Sequence, residues 1–379
     1  MNFVYRKSFI KHILVHLYLI INFIDRLYFQ DTFRFLAGLL GTLLFFISYD
    51  DFLRFLNKNI ILFIIFYFLF VGYVLNSLYI LDGLAIILQI FASIGIALFF
   101  IKEEFSENVF LFYLIYFFSF IIYRIFVIRI SPNEIFEYAS QNAIAYLALV
   151  YTVPYYFIRI RNNKPIKLFP SVLCLILGIV GIGRSGMAVT FCLFIYILLF
   201  TAKYSKFHRL IALTLVVCSL MFIYFYRGMI IEIIDLYKQI KRVDVGSAGL
   251  LSSGGRTDLW KEYIFSLKWY EWIIGKDLIN YRGRLYLFRQ GNFHNSFVFL
   301  HARCGFVAIL FALYFIVLII KRKFSDQMKF YSMLLLFILF KGFFDHVYFF
   351  MSDDFIIMGL LFSLSTSNND KSPMRILGN

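Results

Sequence analysis

Three short clusters in this chain set glycine beside arginine or histidine. They are Gly181-Ile-Gly-Arg-Ser-Gly186, Gly254-Gly-Arg-Thr-Asp258 and Gly291-Asn-Phe-His-Asn-Ser-Phe297. The guanidinium groups of Arg184 and Arg256 stay charged where water is scarce and hold phosphate oxygens in pairs. Arg256 also stands just before a predicted helix, whose dipole and free N–H groups favour anions. His294 titrates near neutrality, so it suits a base or a phosphate partner. His301 lies a turn or two deeper in the following apolar run and is less well placed. Arg289, just upstream of His294, and Arg303, just downstream, add positive charge. The chemistry these types point to is the handling of a phosphorylated group by cations and a base. No HExxH, DxD or ligand-quality His/Cys spacing occurs, so neither a metal nor a cofactor is predicted. A GxGxxG is present at Gly181, Gly183 and Gly186, but between two apolar runs rather than between a strand and a helix. The dinucleotide reading therefore fails on context.

The elements that must position these residues follow from composition. The 379 residues are 62% hydrophobic, 21% aromatic and only 16% charged, with a mean hydropathy of +0.81. A water-soluble chain of this size would expose large apolar patches. The apolar residues instead fall in long runs parted by short polar clusters, and a helix needs about 20 of them to cross a bilayer. That rule predicts an all-α polytopic membrane protein with about twelve spans in a single membrane domain over residues 1–379. Their limits are 10–25, 32–49, 59–80, 83–101, 108–129, 140–159, 168–183, 187–202, 209–227, 295–320, 328–345 and 352–365. A basic cluster with Arg6, Lys7 and Lys11 marks the start of the first, but no small-x-small cleavage site follows it and further spans do, so it is read as an uncleaved span.

The net charge of +15 raises the question of nucleic acid. Basic residues of polytopic proteins, however, gather in loops on the cytoplasmic side, and that account is preferred to a nucleic-acid partner. Arg54/Lys58, Lys102, Arg159/Arg161/Lys164/Lys167, Lys203/Lys206/Arg209 and Lys321/Arg322/Lys323/Lys329 all fall on one side when both termini are cytoplasmic. One connection, residues 228–294, is a large outer-face loop. Within it, residues 258–268 carry Trp260, Tyr263, Ile264 and Leu267 at amphipathic-helix spacing. Thr257 or Asp258 caps that helix, and Trp and Tyr place it at the membrane–water interface. Residues 230–240 suggest a second such helix. Cys174, Cys192, Cys218 and Cys304 lie in apolar runs and read as buried thiols. Arg124, Arg303, Lys341 and Asp345 are ionisable groups within or near spans, which usually face a cavity or a partner.

The three clusters, in this order, resemble the O-antigen polymerase and ligase superfamily of bacterial envelope glycan assembly. The resemblance rests on Gly183-Arg-Ser-Gly186 opening a span, Gly255-Arg-Thr-Asp-Leu-Trp260 in the large loop and His294-Asn-Ser-Phe297 entering the next span. It covers about residues 168–320, and Gly183 stands where many relatives have serine. What it implies is metal-independent glycosyl transfer on the periplasmic face of the inner membrane. The donor is then an oligosaccharide on undecaprenyl diphosphate, with a chain-length regulator protein as a further partner. Arg184, Arg256, Arg289 and Arg303 are then expected to bind the diphosphate, and His294 to act as the base. Polymerase is the preferred reading. The alternatives are a ligase moving the chain to lipid A–core, or a lipid-linked oligosaccharide flippase. No related halves of the kind common in transporters are evident.

Overall fold

In the computed structural model the described residues are 2–28, 31–75, 80–136, 141–203, 205–211, 213–214, 256–276, 295–320, 325–345 and 352–366. Among them the chain is helical throughout, without a strand. The helices are α1 (Asn2–Tyr28), α2 (Asp31–Ile47), α3 (Tyr49–Lys58), α4 (Ile60–Leu75), α5 (Ile80–Lys102), α6 (Asn108–Ile122) and α7 (Asn142–Arg161). They continue as α8 (Phe169–Val180), α9 (Arg184–Ala202), α10 (Arg256–Phe265), α11 (Glu271–Ile274), α12 (Ser296–Cys304), α13 (Phe306–Ile320), α14 (Asp326–Phe344) and α15 (Phe355–Thr366). In a bilayer only structures that pair their own backbone groups can cross, and a wholly helical chain of this hydropathy meets that condition.

Six helices among the described residues are long and apolar enough to cross a membrane, or seven if the bent pair α2–α3 is one span. Among the described residues the count falls short of the expected twelve, for identifiable reasons. α8 has 12 residues, begun at Phe169-Pro170 and stopped by the Gly181–Gly183 turn. α12 and α13 divide the expected span 295–320 at Gly305, whose φ of 60° lies in the left-handed region. α15 is likewise a 12-residue helix. α2 and α3 meet at 68°, which turns the polar, amphipathic α3 away from the run that precedes it. The expected span 209–227 lies outside the described residues beyond position 214, as do the loop segments 215–255 and 277–294 and the expected helix 230–240.

α7 occupies the centre. Its sequence is apolar or aromatic all round, and 94% of its membrane-length window is buried, as expected of a helix with no polar face. Small residues let its neighbours and the other pairs approach closely, as at membrane helix contacts generally. Gly186 of α9 rests on Ala145, Gly178 of α8 on Thr190, and Gly41 of α2 on Ala92 of α5.

Two polar layers cap the bundle. The basic layer joins helix ends: Lys11 to Glu103 (3.0 Å), Arg159 to Glu107 (2.8 Å), Lys164 to Glu107 (2.8 Å) and Lys203 to Asp326 (3.3 Å). Arg161 adds a hydrogen bond to the Glu103 carbonyl (2.7 Å). These are residues grouped by the charge bias of the sequence. Among the described residues Arg124 has no ion-pair partner; it donates to the Ile135 carbonyl (3.3 Å) and lies over the Phe120 ring. Of the cysteines, Cys174 and Cys304 are buried, whereas Cys192 is exposed on α9 rather than buried as expected. Cys218 falls outside the described residues.

Candidate functional site

The opposite layer gathers the sequence motifs. α8 ends at Val180, and a short turn leads into α9. Gly183 is the extended N-cap of α9, with φ −76° and ψ 116°. Arg184 is the first helical residue and is exposed. The turn is tight because Ile182 adopts a left-handed backbone, φ 51°, and because a Cβ on Gly183 would overlap the Asn142 side chain at the start of α7. The expected turn between two apolar helices is therefore present, at the positions its glycines indicated.

Ser185, next to Arg184, donates a hydrogen bond to Asp345 Oδ2 (3.0 Å). Lys341 Nζ donates to that same oxygen (2.5 Å) and to Ser185 Oγ (3.3 Å). Ser296 Oγ donates to the Asp345 carbonyl (2.8 Å). Asp345 thus ties Ser185 of the first motif to Ser296 of the third, 111 positions further along the chain. Lys341 and Asp345 are four residues apart across the C-terminal turn of α14 and form an ion pair with side chains 0% and 8% exposed. A pair this dry is held only if the remaining hydrogen-bonding capacity is also used. The two serines and the helix end supply that. Asn295, buried beside it, caps α12 by accepting from Phe297 N (2.8 Å) and Val298 N (3.0 Å). The Asn-Ser pair is polar at a membrane depth because one residue starts the helix and the other fastens it.

The second motif joins through α10. This helix begins at Arg256, two residues earlier than the sequence pattern indicated, so Thr257 and Asp258 lie in its first turn instead of capping it. Its apolar stripe is docked on the bundle more than it is spread on a bare interface. Trp260 meets the Phe343 ring of α14 edge-on at 5.5 Å. Tyr263 is 2% exposed, and its hydroxyl lies 2.8 Å from His301 Nδ1 of α12. Trp272 of α11 also packs against that imidazole, ring centroids 5.5 Å apart. Just beyond, Gly275 (φ 88°) and Gly305 (φ 60°) face each other. A Cβ on Gly305 would overlap the Ile273 carbonyl, and Lys276 N donates to the Ala302 carbonyl (2.9 Å). The loop therefore plugs the break between α12 and α13.

Of the sequence-predicted site residues, Arg184 stands at the exposed start of α9 and Arg256 at the start of α10. Arg303 is 7% exposed, its guanidinium over the Phe299 ring at 5.3 Å. His294 and Arg289 lie outside the described residues, although Asn295 fixes the point where the segment bearing His294 enters α12. Among the described residues no group of three or more His, Cys, Asp or Glu is arranged to hold a metal. The sequence reading left Lys341 and Asp345 without partners, although their i, i+4 spacing was the available signal. It did not single out a second buried cluster at this end, formed by Asp25, Arg26, Arg34, Tyr146 and Asp353. No protein-family model, no curated protein and no solved structure matches this chain.

What the described arrangement can do is bind an anion at a membrane surface. The first N–H groups of a 19-residue helix, an exposed arginine and a lysine-bearing neighbour lie at one end of the bundle. Helix starts of this kind favour negative charge. The ion-paired Lys341 sets the position of Ser185 without adding net charge.

Proposed function

We propose that this chain is a membrane glycosyltransferase of the O-antigen polymerase type. On this reading it transfers an undecaprenyl-diphosphate-linked oligosaccharide onto another lipid-linked repeat unit. It acts at the periplasmic face of the bacterial cytoplasmic membrane, with both termini in the cytoplasm, where the positive-inside bias puts the basic layer. The observation that carries the reading is the convergence on one end of the bundle of three segments that are remote in sequence. They are the start of α9 at Arg184, the start of α10 at Arg256 and the Asn295-Ser296 entry to α12, two of them joined through Asp345.

In the reaction an acceptor hydroxyl oxygen attacks the anomeric carbon of the donor sugar. The bond from that carbon to the diphosphate oxygen breaks, and its electron pair leaves with the lipid diphosphate. The hydroxyl proton passes to a base, the role given to His294. A diphosphate is already a good leaving group, so catalysis consists chiefly of fixed positive charge on its oxygens and of orientation. Arg184 and Arg256 suit the first task, with Arg289 and Arg303 adding to it. The lipid tail stays in the bilayer, which places the diphosphate at the depth of the helix ends.

The test is complementation of a strain lacking the chain with Arg184→Ala and Arg256→Ala, followed by gel analysis of lipopolysaccharide. Loss of the ladder with core plus one unit retained supports polymerase. Complete loss of attached glycan, with polymer left on the lipid carrier, reassigns the chain as a ligase. A normal ladder from both stably expressed variants overturns the site.

A further inference from the structure

Where α10 ends, the chain makes a turn that carries large apolar side chains on its surface. Phe265 is 84% exposed and Trp269 79%, and Trp272 and Ile273 of α11 are exposed as well. The polar groups of the same turn are satisfied within it. The backbone N–H groups of residues 271–275 find carbonyls at Lys268, Tyr270 and Glu271. Glu271 accepts from Lys268 N (2.8 Å) and pairs with Lys276 Nζ (3.6 Å). Lys276 Nζ also donates to the Ser266 carbonyl (3.0 Å) and hydroxyl (2.9 Å), which closes the turn on the end of α10. Loops that meet water hydrate their backbone and present polar side chains. This one closes its backbone on itself and presents aromatic rings, and a contiguous apolar patch of that kind marks an interaction site.

The position of the patch names what covers it. The Ile273 carbonyl and Gly275 N lie against Gly305, so the turn is seated on the residue before α13. α13 then carries Phe306, Leu310, Leu313 and Val317 exposed, spaced i, i+4, i+7 and i+11 on one face. A stripe of this kind on an apolar helix meets acyl chains, and the turn begins where that stripe ends. The residue types fit the same boundary. Tryptophan and tyrosine concentrate at the headgroup level, and the three tryptophans of the chain all fall between positions 260 and 272, although its 51 phenylalanines run along the whole length. Lys268 Nζ lies over the Tyr270 ring at 5.8 Å, and a lysine stem laid on an apolar surface leaves its ammonium free to reach phosphate. With Glu271 answered by Lys276, the charge the turn presents is that of Lys268, which complements an anionic headgroup.

We propose that residues 265–274 are a lipid anchor, an aromatic turn seated in the headgroup zone of the leaflet at the motif-bearing end of the bundle. The occupant of the patch is the surrounding bilayer. α10 is thereby gripped twice, by protein at Trp260 and Tyr263 and by lipid beyond its last turn. Its ten residues make a rod of about 15 Å, so the anchor at one end limits how far Arg256 at the other can leave the membrane surface. On the glycosyl-transfer reading this keeps Arg256 within reach of a lipid-borne diphosphate; that clause rests on the reading, whereas the lipid contact does not.

The test uses the full-length protein in nanodiscs whose phospholipids carry bromine at the headgroup end of their acyl chains, a contact quencher of tryptophan. The emission of Trp269 is isolated as the difference between the unaltered protein and Trp269→Phe. Bromolipid should quench it, with no substrate present. Phe265→Ser combined with Trp269→Ser alters two exposed side chains and should leave the circular dichroism unchanged. Withdrawing two aromatic rings from lipid should shift the docking equilibrium of the turn by roughly 10²-fold or more, read as a fall in bromolipid quenching of the remaining tryptophans. Trp269 emission indifferent to bromolipid overturns the anchor: acrylamide quenching then shows that the turn stands in water, and shielding from acrylamide shows that protein, such as a second copy of the chain, covers it. Bromolipid quenching together with a normal lipopolysaccharide ladder from Arg256→Ala leaves the anchor standing and removes the transfer role of Arg256 instead.

Discussion

Lys341→Met is the perturbation that most directly probes how this site is held. The lysine is 0% exposed and its partner Asp345 is 8% exposed at 2.5 Å, so neither charge has water to fall back on. Removing one partner of such a pair costs about 3–5 kcal/mol, because the other is left buried and uncompensated. Each 1.4 kcal/mol is about a factor of ten, so the unfolding equilibrium should move by roughly 10² to several times 10³. Asp345 would keep its bond from Ser185, which limits the loss to the lower part of that range. The double variant Lys341→Met with Asp345→Asn removes both charges and retains an acceptor for Ser185. It should regain most of the loss. The assay is SDS titration of the purified protein in mixed micelles, followed by circular dichroism. A single variant within about 1 kcal/mol of the parent would mean that water reaches the pair. A double variant no better than the single one would refute the pairing argument outright.

Three other outcomes follow from the geometry. Gly305→Ala puts a Cβ into the Ile273 carbonyl at a φ of 60°; it should cost about 1–3 kcal/mol and raise protease cleavage between residues 256 and 276. Tyr263→Phe leaves His301 Nδ1 buried without its 2.8 Å partner, a loss of about 1–3 kcal/mol that thermal melting in detergent would register. Glu107 has opposing influences: burial tends to raise its carboxyl pKa. Hydrogen bonding and charge from Lys164, with the charge of Arg159, outweigh that and hold it below its ordinary 4.5. A depressed folded-state pKa contributes stability that is fully present above the unfolded value and is lost as pH falls through the folded one. Glu107→Gln should therefore melt lower than the parent at pH 7 and converge with it under acid, and parallel melting curves at both pH values would refute the assignment.

The class of fold was legible because composition and run length depend only on residue type, and lipid imposes one rule on the whole chain. The turn at Gly181–Gly183 was legible for a local reason, since clustered glycines followed by Arg-Ser interrupt an apolar run. The break at Gly305 was not. The run from Ser296 to Ile320 is continuous in hydropathy, and what divides it is the backbone of one glycine and a loop carbonyl arriving from elsewhere. Similarly, the Trp260–Leu267 stripe announced an amphipathic helix, but a stripe cannot say whether it meets lipid or protein; Tyr263 and His301 decided that by meeting each other. The Asp25–Arg26–Arg34 cluster was invisible because its completing residue, Asp353, comes from the far end of the chain. Arg184, Arg256 and Asn295 drew attention by type and neighbourhood, whereas Asp345, which ties two of their segments together, looked like an isolated acid.

The burial of α7 has a consequence for how depth is defined in this protein. Peripheral helices answer to bilayer thickness by tilting or by snorkelling their ends. α7 has almost no lipid-facing surface, so nothing pulls it along when acyl chains lengthen or shorten. Both polar clusters are fastened to its first turns, through Ala145 on one side and Tyr146 on the other. The height at which these groups wait is therefore measured from the protein's own axis, and a change of lipid moves the surroundings past a stationary ruler.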